Sequence, residues 1–228
     1  MKRSQINSII QDMEALAKAH GFELPPFCAF TPEDWEKAGN EYDEIRHNKL
    51  GWDITDYGTG NFEKTGFALI TLRNGNPKDP RYTKTYAEKL LMLKEGQHSP
   101  MHFHWNKMED IINRGGGTVL IRVYNATEDE RLADTPVELH CDGREFTVEA
   151  GTQIELKSGE SITIYPYMYH DFDVKPGTGD VLLGEVSMCN DDETDNRFYE
   201  KVGRFPEIEE DEKPYHLLCN EYPEARTV

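Results

Sequence analysis

From about residue 66 onward, apolar residues come in short runs separated by glycine-containing turns, the pattern of β-strands rather than helices. Phe67–Leu72, Leu90–Lys94, Thr118–Tyr124, Val137–Cys141, Glu145–Val148, Gln153–Lys157, Ser161–Tyr165, Tyr167–Val174 and Val181–Val186 each read as a strand. Asp142-Gly143, between two such runs, is a strong hairpin signal. Strands at regular spacing predict a sandwich or jelly-roll barrel. The first 65 residues read differently. Ile6, Ile9, Ile10, Met13, Leu16 and Ala17 follow helical spacing over Ser4–His20, with Gly21 as the stop. Thr31-Pro32-Glu33-Asp34 reads as a helix start, with Trp35 and Ala38 turned inward. Gly51–Gly60 reads as turn-rich, and Gly75–Pro80 as a loop. No internal repeat or low-complexity linker interrupts the chain. The expectation is one domain over 1–228: a helical or irregular N-terminal extension (1–65), a barrel core (66–188) and a C-terminal extension packed on the barrel (189–228).

One stretch, Gly96–Gly116, carries candidate chemistry. His102 and His104 are two apart, and in a strand such side chains share a face, where two imidazoles can meet one metal ion. Glu109, five residues on, can bring a carboxylate back to the same point, and His170 can supply a third imidazole. Three imidazoles and a carboxylate suit Mn, Fe, Co, Ni or Zn and leave open positions for substrate oxygens. Such a centre can polarise a carbonyl and stabilise a developing enediolate.

Charge narrows the partners. The formal net charge of −18 argues against a nucleic-acid backbone or an anionic membrane as partner. No apolar run is long enough to span a bilayer, and the N-terminus lacks the apolar core of a signal peptide. Cys28, Cys141, Cys189 and Cys219 are scattered, which reads as reduced thiols in the cytoplasm. Two acidic runs, Asn190–Asn196 and Glu207–Glu212, remain. The second reads as solvated surface; the first, following the last strand, is also placed to cover the barrel mouth.

Gly96, His102, His104, Glu109 and Gly116 match the first cupin motif at every position, and Gly159, Pro166 and His170 match the second loosely. Beyond that, Glu95–Gly116, Tyr165–Asp171, Glu185–Asp192 and Asp195–Phe198 resemble the D-lyxose isomerases, a cupin family of about this length. The resemblance implies a mainly β cupin jelly-roll barrel and a divalent metal, often manganese, held by His102, His104, Glu109 and His170. It also implies a homodimer and interconversion of the free sugars D-lyxose and D-xylulose, often D-mannose and D-fructose as well. An iron-dependent cupin dioxygenase and a non-enzymatic sugar-binding cupin are the rival readings.

An aldose–ketose isomerase also needs a base that moves the C2 proton to C1. Glu185, a carboxylate inside the apolar strand Val181–Val186, is the first candidate. Lys94, at the end of an apolar strand, is the second, as a proton carrier or substrate orienter. Lys107 and Asp171 are candidate supports for the metal ligands, and Trp105, Phe172 and Tyr165 candidate pocket walls.

Overall fold

The computed structural model describes residues 1–225, so the last three residues of the expected C-terminal extension lie outside it. In chain order the strands are β1 Gly51–Thr55, β2 Phe67–Arg73, β3 Tyr86–Leu93, β4 His98–Phe103, β5 Glu109–Gly116, β6 Val119–Asn125 and β7 Val137–Cys141. There follow β8 Arg144–Val148, β9 Gln153–Leu156, β10 Ser161–Ile164, β11 Met168–Val174, β12 Val181–Met188 and β13 Arg197–Phe198. They form two antiparallel sheets. The larger has the order β1-β2-β3-β12-β5-β10-β7-β8, and the smaller β13-β4-β11-β6-β9. The mainly β, two-sheet expectation is borne out.

Two apolar clusters explain two kinds of strand. Between the sheets, Leu69, Leu91, Ile111, Ile121, Val123, Phe172 and Leu183 form one core. On the outer face of the larger sheet, Ile70, Leu90, Met92 and Leu182 pack under Ile6, Ile10 and Met13 of α1, Arg3–Ala19. Strands β2, β3 and β12 are therefore covered on both faces and read as continuous apolar runs. β5 and β6 have one open face and alternate.

Three local features follow from this packing. Gly51–Thr55 is a strand rather than a turn, because Trp52, Asp53 and Ile54 are buried on both faces at the sheet edge. Glu109–Gly116 is a full strand with alternating burial, in addition to the strands expected from the apolar runs. β9 and β10 do not pair with each other; they belong to different sheets, so Ser158–Glu160 arches between layers. The hairpin at Asp142-Gly143 is as expected, and both residues adopt the positive φ that a type I′ turn requires (50° and 75°). The acidic run Glu207–Glu212 is not simply solvated. Glu210 pairs with the buried Arg3, and Asp211 caps the start of α1 through the backbone N–H of Ser4.

Candidate active site

The site lies between the sheets at one end, and each sheet contributes to it. On the smaller sheet, His102 of β4 and His170 of β11 stand directly opposite in register, so their side chains share the inner face. Their ring centroids are 4.2 Å apart. The register shifts just beyond them, between His170 and Phe172, a bulge of the kind that re-aims side chains beside functional sites. His104 lies just past β4. Glu109 opens β5 in the larger sheet and reaches across: its Oε1 is 3.2 Å from His170 Nε2 and 3.4 Å from His104 Nε2.

The imidazoles are set up as ligands. Each Nδ1–H donates to a backbone carbonyl: His102 to Pro100 at 2.8 Å, His104 to Asp195 at 2.8 Å, and His170 to Met168 at 3.0 Å. That assignment leaves each Nε2 with a bare lone pair. The Nε2 atoms of His104 and His170 are buried without a hydrogen-bond partner. One ligand atom from each of His102, His104 and His170 lies within 4.8 Å of the others. Burial, with His170 and His104 alongside, pushes His102 well below the usual imidazole range; burial and Lys107 lower His104. Burial alone would raise Glu109, but Lys107 and His104 hold it well below the usual carboxylate range. Neutral His102 and His104 beside an ionised Glu109 are the protonation states that a divalent metal requires, and with the unpartnered Nε2 of His170 the four residues fit one.

Glu185 sits on the inner face of β12, 4% exposed, two strand positions from Ser187, the partner of Glu109 in the register. Its Oε1 accepts from Lys107 Nζ at 2.9 Å and from Ser187 Oγ at 3.0 Å, and lies 3.3 Å from Lys89 Nζ. Lys107 Nζ is also 2.5 Å from Glu109 Oε2, an ion-pair contact outside hydrogen-bond geometry, so one ammonium bridges both carboxylates. Burial alone would lower Lys107, but Glu109 and Glu185 more than offset it and hold it above the usual lysine range.

Lys94 is not part of this assembly. It has the parity of Leu90 and Met92, on the face covered by α1, and its ammonium pairs with Asp12 at 2.6 Å. It also lies about 16 Å along the strand from Lys89. The cation expected from β3 is Lys89 instead, an equally out-of-place charge in an apolar strand, and the bridging cation is Lys107. Asp171 points away from His170, by strand alternation, and accepts from the backbone N–H of Arg122. Of the expected pocket walls, Phe172 lines the cavity. Trp105 donates to Glu130, and Tyr165 packs against His140 outside the site.

The first acidic run covers the mouth, as expected. Asp195 accepts from the backbone N–H of Lys107 at 2.9 Å, and its carbonyl holds His104. Asp192, Asn196, Phe198 and Arg204 complete the cavity with Tyr57. Arg204 binds both Asp53 and Asp192. Burial alone would raise Asp192, but Lys89, Arg204 and Lys107 hold it well below the usual range. No local spacing marks these residues.

Two antiparallel β-sheets that bring together three imidazole nitrogens, a facing carboxylate and a second carboxylate–lysine pair present a candidate metal centre. Comparison with known proteins narrows this. The family model for D-lyxose isomerase matches residues 1–222. The D-lyxose/D-mannose isomerase of Serratia proteamaculans is 46% identical over 223 residues, covering 97% of this chain and 98% of that protein. That of Escherichia coli O157:H7 is 44% identical over 227 residues, covering 99% and 100%. The solved structure of Cellulomonas parahominis L-ribose isomerase with L-ribose has a similar fold, with a TM-score of 0.59 at 15% identity over 92% of this chain and 98% of that one. The chain belongs to the D-lyxose isomerase family and is a sugar isomerase.

Proposed function

We propose that this protein interconverts D-lyxose with D-xylulose, and D-mannose with D-fructose, in a metal-dependent proton transfer between C1 and C2. The observation that carries the reading is the placement of the Glu185 carboxylate beside the four candidate metal ligands, tied to them through Lys107. His102, His104, Glu109 and His170 would hold a divalent ion, manganese by family resemblance. When bound, the ion supplies Lewis-acid polarisation of the substrate carbonyl and hydroxyl oxygens.

The chain's own residues do the rest. Glu185 takes the proton from C2 as the C1 carbonyl electrons move to O1, and returns it to C1 as O2 becomes the carbonyl; the O2 proton passes to O1. Lys107 and Ser187 fix the Glu185 carboxylate in position. The ammonium groups of Lys89 and Lys107 offset the negative charge that develops during enediol formation. Phe172 and Phe198 exclude water from the reacting carbons.

The test is metal-stripped protein reloaded with Mn, Co, Zn, Fe or Ni and assayed on a panel of free aldoses, with and without oxygen. Ketose formation without oxygen, lost in His102→Ala while the fold is retained, supports the reading. A bound metal with no turnover on any aldopentose or aldohexose overturns it. A single domain, a homodimer and a cytoplasmic location accompany the proposal, the dimer from the family resemblance. Among the described residues no helix is long and apolar enough to cross a membrane, and the four thiols are unpaired.

A further inference from the structure

Lys89 lines the cavity at the imidazoles together with Lys107, Glu185, His102 and Glu109. It is 3% exposed, and an ammonium buried to that degree keeps its place only where acceptors meet it. Glu185 Oε1 lies 3.3 Å from its Nζ, but its short hydrogen bond goes to a neutral side chain: Nζ donates to Asn190 Oδ1 at 2.6 Å. The same oxygen is 3.5 Å from Lys107 Nζ. The Asn190 side chain also hydrogen-bonds the Asp192 carboxylate. One amide, which carries both an acceptor and donors, therefore stands between two ammonium groups and a carboxylate.

Asn190 lies just past the end of β12, beyond the strand ladder that would fix its backbone. Asn74, just past β2 and 5% exposed, does so instead. Its Oδ1 accepts from the Asn190 backbone N–H at 2.9 Å, and its Nδ2 donates to the Asn190 carbonyl at 3.1 Å. A side-chain amide that pairs with both backbone groups of one residue does the work of a neighbouring strand. Asn190 lines a neighbouring cleft rather than the cavity, so it reaches the reaction through Lys89. Its neutrality has a chemical consequence. Glu109 and Glu185 already balance Lys107 and Lys89. A carboxylate at position 190 would also hold Lys89, but it would add negative charge where enediol formation builds more. The amide oxygen orients the ammonium and adds none.

We propose that Asn190 is a positioning residue: clamped by Asn74, its neutral oxygen aims the Lys89 ammonium at the oxygens of the reacting sugar without adding negative charge beside it. The proposal rests on the reading of the chain as a free-sugar isomerase. Steady-state kinetics on D-lyxose and D-mannose, with full-length protein at equal manganese content, are measured for the native chain, Asn190→Ala, Lys89→Met, the double variant and Asn190→Asp. If Asn190 acts through Lys89, its loss matters only while Lys89 is present. The expected result is a kcat lowered about tenfold or more by Asn190→Ala in the native background, with KM within about threefold, and lowered less than about twofold in the Lys89→Met background. Equal factors in the two backgrounds, whether a shared loss or none, overturn the proposal, because a general packing defect would act on both alike. Asn190→Asp needs no second substitution, so a folding defect in Lys89→Met leaves the test standing. It keeps an oxygen for Lys89 but adds charge, and kcat is expected to fall about tenfold or more. Native kcat in Asn190→Asp overturns the proposal. Either failure is seen against an active native protein and spares the isomerase reading, whereas native protein that turns over no aldose discards both.

Discussion

Replacing Lys107 by Met removes the cation between Glu109 and Glu185 while keeping most of its volume. Lys107 is 3% exposed, and so is Glu109, with Glu185 at 4%. In the native cavity the two carboxylates face two ammonium groups, Lys107 and Lys89. The substitution leaves one negative charge in excess in a buried setting. Removing one partner of a buried ion pair costs about 3–5 kcal/mol. For a chain of this size each kcal/mol lowers Tm by about 2–4 °C, so metal-free Lys107→Met melts about 6–20 °C below the native protein at pH 7.5. The sign with pH follows from Glu109. Its folded pKa is depressed, so its native contribution is present above the unfolded value of about 4.3 and is lost as pH falls. Without Lys107, burial dominates and Glu109 binds its proton at higher pH. The gap between the two proteins is therefore widest at pH 7.5 and narrows toward pH 5. Thermal melts in EDTA at both pH values measure it. A gap below about 2 °C at pH 7.5, or an equal gap at both pH values, refutes the argument that the cavity is held together by this charge balance.

Glu185→Gln keeps the contacts to Lys107 and Ser187 in part but removes the base; kcat, measured well below the melting transition that the lost ion pair also lowers, is expected to fall about 10²–10⁴-fold, and deuterium incorporation from D2O into recovered aldose falls in parallel. Native protein at pH 8 is expected to show one fast thiol toward an aromatic disulfide reagent, Cys189: the other three are buried, and burial pushes Cys28 up to about 12. Ile10→Ala, in the α1–sheet cluster and fully buried, is expected to cost about 2–5 kcal/mol in denaturant unfolding while activity at low temperature stays within twofold.

The sequence by itself determined what depends on neighbours along the chain. Strand periodicity put His102 and His104 on one face, Asp142-Gly143 set a hairpin, and the spacing of Ile6, Ile10 and Met13 made a helix. Glu185 was legible because a carboxylate in an apolar run needs a reason. Periodicity shows which residues share a face, but not which faces meet. Lys89 and Lys94 both interrupt the apolar pattern of the same strand region, and that strand is apolar on both sides; only the docking of α1 on one face decides that Lys89 belongs to the site and Lys94 to the surface. Lys107, Asp192, Asp195 and Arg204 lie in irregular segments whose course is set by contacts with distant strands. Their roles come from the burial of opposite charges at one point, a property of the packed sheets that no local spacing records.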